Sequence, residues 1–172
     1  MPATALGQTT RQAESVYLSV AIGDCHTVET FEYGMGGIVD CGSAAGYTVH
    51  LVDSDLRQRL ILIDDGRELS VDPDVPNFTW LGPLVEFRGY QTPQGFEAHA
   101  LIVRVHLDDG TGTGTEMQRL LVADLTDDEA CTIGWIDAAG NPDHNQDARA
   151  LAETARTHNC PTGTQQGPAE KS

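Results

Sequence analysis

At 172 residues, with hydrophobic side chains at 40%, the chain is long enough to enclose its own core and too apolar to be disordered throughout. Twenty-six acidic residues against ten basic ones leave a net charge of −16, which argues against nucleic acid as a partner and suits either solubility or a cationic partner. No stretch approaches the roughly 18–20 consecutive apolar residues of a membrane-spanning helix.

Residues 1–14 are small and polar and read as a flexible N-terminal arm, without the apolar segment of a signal peptide. Over residues 15–22, Val16, Leu18 and Val20 alternate with Tyr17 and Ser19, the period of a half-buried strand. Gly23-Asp24 ends it, and residues 25–31 make a second, short strand. Gly34-Met35-Gly36-Gly37 has the glycine content of a phosphate loop, but Ile38-Val39-Asp40-Cys41 continues as strand where such a loop needs a helix. The following G-S-A-A-G turn lacks the spacing of a nucleophile elbow. Residues 47–52 and 57–63 are the next strands, turning at Ser54-Asp55. The run Leu60-Ile61-Leu62-Ile63 predicts burial on both faces, as in a central strand beneath a helix.

Residues 64–76 are acidic, proline-bearing and without period, and read as the longest loop of the body, with Phe78 and Trp80 pinning its end. Residues 84–90 and 96–107 form an antiparallel pair. In the second of these, Leu101, Val103, Val105 and Leu107 face inward, as does His99, expected as a satisfied core or edge histidine. Arg104 and His106 face out. The loop D-D-G-T-G-T-G-T-E over 108–116 makes a hairpin to the strand carrying Asp124, and a further strand carries Cys131. A helix starts near Asp143, with an apolar stripe of Ala148, Leu151, Ala152 and Ala155, and with Arg149, Glu153 and Arg156 pointing outward. Residues 162–172 read as a disordered tail.

None of the four cysteines lies in C-x-x-C, so neither a zinc site nor a thioredoxin-like site has spacing to support it. Of the three possible pairings, Cys25–Cys41 and Cys131–Cys160 each close a local unit, and disulfides imply export. The exported reading then requires a leader removed from the chain; the alternative is a cytosolic chain with free thiols.

Three site hypotheses follow. His50, Arg57, Arg104, His106 and Asp124 are the residues from which a hydrolase-like site would be assembled, Asp124 reaching Arg104 or His106 from the facing strand. Asp108, Asp109 and Glu116 have the oxygen chemistry for calcium, without the EF-hand register. Asp64, Asp65, Asp72 and Asp74 form a second acidic cluster of the same kind. No cofactor other than calcium is suggested.

Several segments together resemble a family of uncharacterised exported alphaproteobacterial proteins with two cysteine pairs. They are Cys25, Cys41-Gly42, G-Y-T-V at 46–49, D-L-R at 55–57, L-G-P-L-V-E-F-R at 81–88 and A-L-I-V-R at 100–104. A-C-T-I-G-W-I-D at 130–137, N-P-D-H-N-Q-D-A-R-A-L-A at 141–152 and Cys160 complete the set. The resemblance spans roughly residues 15–161, supports the disulfide pairing and export to the periplasm or beyond, and implies no activity, cofactor or partner.

The expected architecture is a single α+β domain over residues 15–161. It has a curved, meander-like antiparallel sheet of about seven or eight strands, with one C-terminal helix packed on it and two disulfides. The expected function is a non-catalytic, acidic binding protein of the cell envelope or exterior, engaging a protein or cationic partner. The hydrolase-like enzyme and the calcium-binding surface module are the alternatives.

Overall fold

The computed structural model describes residues 11–158 and residue 160. Its strands are β1 (Glu14–Ser19), β2 (His26–Thr30), β3 (Gly36–Ala44), β4 (Tyr47–Ser54) and β5 (Arg57–Asp64), followed by β6 (Arg67–Val71), β7 (Thr79–Thr92), β8 (Gly95–Asp108), β9 (Glu116–Leu125) and β10 (Ala130–Asp137). Helix α1 (His144–Glu153) and a 3-10 turn, Ala155–Thr157, complete it. The fold is therefore α+β, a curved meander with one C-terminal helix and two disulfides. The expected arm belongs to β1 from Glu14 onward. Its first ten residues and the tail at 162–172 lie outside the described residues.

The strands form two antiparallel runs, β10-β9-β8-β7-β1 and β6-β5-β4-β3-β2, joined by one parallel bridge between Arg57 and Thr79. β1 lies against β3 and β10 against β6, so the runs face each other. Between them Val49, Leu51, Leu60 and Leu62 meet Val85, Phe87, Leu101 and Val103. Each such side chain contributes roughly 1.5–3 kcal/mol on burial.

The sheet has ten strands, more than expected, and β6 lies inside the stretch read as loop. There Leu69 and Val71 are buried while Glu68 and Ser70 are exposed, a period of two that the surrounding acids and prolines conceal. β5 also differs from expectation. Leu60 and Leu62 are fully buried, but Ile61 and Ile63 are only half-buried, because α1 covers β8, β9 and β10 instead.

The helix rests on the outer face of the sheet. Ala148, Ala152 and Ala155 pack on Ala100, Ile102, Leu120 and Val122, and small side chains let the two surfaces approach closely. Arg149 and Glu153 lie on the solvent side of the helix as expected, yet both also reach down to pair with β7. Arg149 Nε donates to Glu86 Oε1 at 2.7 Å, and Arg88 Nη2 donates to Glu153 Oε1 at 2.8 Å. Both predicted disulfides are present. Cys25–Cys41 (Cα–Cα 4.2 Å) ties the entry of β2 to β3, and Cys131–Cys160 (Cα–Cα 5.7 Å) ties β10 to the chain beyond α1. No described helix is long and apolar enough to cross a membrane.

Candidate functional site

Of the three buried polar residues among those described, two, His99 and Asp124, line the same cleft. His99 arrives there through a break in strand pairing. Arg88 faces Ala100 and Gly89 faces Ala98, which leaves His99 as the extra residue of a β-bulge. Glycine permits the close approach, since a Cβ at position 89 would lie 2.1 Å from the Glu97 carbonyl oxygen. Before the bulge Phe96 and Ala98 face the core; after it Leu101 and Val103 do. The bulge turns His99 away from the core, correcting the inward placement read from simple alternation.

The imidazole stacks on Tyr90 with ring centroids 5.2 Å apart, and Nε2 lies 3.7 Å from Glu153 Oε2, beyond hydrogen-bond reach. Neither ring nitrogen makes a hydrogen bond of good geometry among the described residues, the Ala152 backbone being the polar group nearest to doing so, so the expected satisfied histidine is an under-satisfied one. Burial pushes its pKa down; Glu153 and, more weakly, the Ala152 backbone oppose this, while Arg156 and Arg88 reinforce it.

Asp124 stands opposite Ala100 on β8 and Cys131 on β10. A carboxylate oxygen and the sulfurs of Cys131 and Cys160 lie within 4.8 Å of one another. Bonded to each other, the sulfurs offer no thiolate to a metal. Burial pushes the Asp124 carboxyl above the ordinary carboxylate range, opposed by the charge of His158 and the Leu125 N–H and reinforced by Glu129.

The cleft encloses about 540 Å³ where the β3–β4 turn, the end of β5, the start of β8, the end of β9 and the 3-10 turn converge. Asp64, Glu97 and Asp127 add carboxylates, and Arg156 and His158 add basic groups. Arg67 pairs with Asp64 at 2.9 Å and Arg156 with Glu97 at 3.5 Å. No described arginine forms an ion pair with Asp124 or Asp127. The Tyr47 phenol, pushed up by burial and then by Asp64 and Asp127, stays protonated.

The five residues suggested for a hydrolase-like site do not meet. His50 sits on β4 between Asp40 and Ile61. Arg57 binds Asp55 and the Pro76 carbonyl and lies over the Phe78 ring. Arg104 reaches Gln118 and His144, while His106 stacks on Trp80 and bonds Glu116. Asp124 shares their outer face, but Ala100, its partner, is four residues from Arg104, about 13 Å along the strand.

The acids suggested for calcium are engaged separately. Asp108 accepts from the Gly110 N–H, Asp109 from the Thr111 N–H and hydroxyl, and Glu116 turns to His106 and Gln118. In the second acidic cluster, Asp64 pairs with Arg67 and Asp72 accepts from the Asp74 N–H.

Sequence reasoning did not assign the cleft to His99, Asp127, Arg156 or Tyr47. The one local signal for it was Gly89, a glycine inside a strand, which marks a bulge. No protein-family model, curated protein or solved structure matches the chain.

Proposed function

We propose that the protein is a non-catalytic binding protein exported to the periplasm or cell exterior, and that its cleft takes a small amine-bearing cation. The reading is carried by a buried, under-satisfied imidazole and a buried carboxyl in the wall of one cleft. Such groups are costly to bury and find their compensation in a bound partner. No described arginine forms an ion pair with the carboxylates of Asp124 or Asp127, although Arg67 holds the Asp127 carbonyl and the charge of His158 acts on Asp124. An ammonium group adds a direct partner for these carboxylates. Two disulfides favour an oxidising compartment.

Isothermal titration with putrescine and with lysine is expected to give saturable one-to-one binding, with succinate silent. Asp127→Asn is expected to weaken the amine several-fold. Binding of succinate, or equal amine binding by Asp127→Asn, would overturn the assignment.

A further inference from the structure

The end of the molecule opposite the cleft carries apolar side chains in solvent. The β2–β3 and β4–β5 turns meet there: Gly36 pairs with Ser54, and the Asp55 N–H donates to the Met35 carbonyl at 3.4 Å. The entry to β7 joins them, the Thr79 N–H donating to the Leu56 carbonyl at 3.0 Å. From these connected segments Tyr33 is 96% exposed, Leu56 64%, Met35 52% and Phe78 46%.

Two of the four stand on backbone that resists them. Tyr33 and Leu56 both have φ of 60°, in the left-handed region that disfavours a side chain and where glycine is the ordinary occupant. Asp55 and Leu56 are consecutive positive-φ residues in a two-residue hairpin turn, where Asp-Gly is the preferred pair. A tyrosine and a leucine thus occupy positions where glycine would fold better, and both project into water. Strain retained at exposed apolar residues points to a use outside the chain.

We infer that this end is a docking surface for a protein partner with an apolar socket rimmed by lysine and arginine, the socket taking Tyr33 and Leu56. Charge selects that class of partner. Glu32 adjoins Tyr33, Asp53 lies near the end of β4 with Asp55 on the turn that follows, and the Asp108 N–H bonds the Phe78 carbonyl. Of the two cations in the hairpin, Arg57 is already held by Asp55 and the Phe78 ring, and Arg59 lies further along β5 opposite Val52, so the acids outnumber them. With a net charge of −16, a second copy or an anionic membrane would bring like charge to the contact, whereas a basic rim is attracted to it.

The test uses the full chain with Tyr33→Gly, Leu56→Gly and both together. These changes leave the net charge untouched and relieve the backbone, so each variant is expected to melt at the same temperature or higher. Binding to an amphipathic lysine/leucine helical peptide is expected to weaken about tenfold for each change, and a glutamate/leucine peptide of the same spacing to stay unbound. A lowered melting temperature would make the side chains structural and overturn the inference. Equal peptide binding by the double variant would reduce the contact to charge alone and overturn it too. Dimerisation, or adsorption to phosphatidylcholine vesicles, that the glycine changes abolish would reassign the surface to a second copy or to lipid.

Discussion

Burial holds His99 below its ordinary range, so the folded protein takes up this proton less readily than the unfolded chain. Its contribution to stability is complete above the unfolded pKa of about 6.5 and is lost as pH falls from there through the folded value. His99→Phe keeps a ring against Tyr90 and removes both under-satisfied nitrogens. Its melting temperature is expected to hold or rise at neutral pH, and its loss on acidification below about pH 6.5 to be shallower than in the parent. A steeper loss, read by calorimetry across that range, would refute the neutral buried state. Asp124 has the opposite sign. Its raised carboxyl pKa means that the folded state binds the proton more tightly, so the penalty is absent below the unfolded pKa of about 3.9 and complete above the folded one. Asp124→Asn is therefore expected to raise the melting temperature at neutral pH, with the gain vanishing in acid, while weakening the amine. The face these residues occupy was only partly legible. Alternation placed Asp124 on the side of Arg104, but its position along the strand depends on the Asp108–Glu116 closure of the hairpin. For His99 even the face was hidden, because one extra residue reverses the alternation.

Helix α1 offers the sheet little apolar area, since its fully buried side chains are Ala148 and Ala152, with Ala155 just beyond it. Its attachment therefore rests heavily on the covalent tie and the ion pairs. Replacing Cys131 and Cys160 together by serine reopens a sequence separation of 29 residues and is expected to cost about 3–4 kcal/mol in a denaturant melt. Ala148→Leu, by contrast, forces the helix off a surface that has no room, and a loss of about 1–3 kcal/mol is expected. Should Ala148→Leu leave stability unchanged, the helix would be loosely seated and the cleft wall formed by Ala155 and Arg156 mobile. The helix, its alanine stripe and both disulfide partners were readable from local spacing. The Arg149–Glu86 and Arg88–Glu153 pairs were not, because their partners lie 63 and 65 residues away and meet only once β7 and β8 are in place.

At the scale of the whole molecule the meander was legible from turns and alternation, whereas its folding into two facing runs was not. That closure depends on contacts of β1 with β3 and of β10 with β6, elements distant in sequence and without a local signature. It also sets the charge problem of the fold. The net charge of −16 is gathered around one core, while Arg57, Arg67, Arg88, Arg119, Arg149 and Arg156 already form ion pairs. Added salt weakens both the pairs and the general repulsion, but exposed pairs are worth only about 0–1 kcal/mol each. Excess negative charge acts over a longer range and is screened as the Debye length falls from about 20 Å near 0.02 M to about 4 Å near 0.5 M. Repulsion wins, and the melting temperature is expected to rise over that interval of sodium chloride, while amine binding in the cleft weakens. A melting temperature that falls with salt would mean that the arginine pairs, above all the half-shielded Arg88–Glu153 and Arg149–Glu86, outweigh the repulsion. Affinity and stability moving in opposite directions in one titration would separate the two electrostatic effects, because under the proposed function the cleft would gain from the same negative charge that the fold as a whole must tolerate.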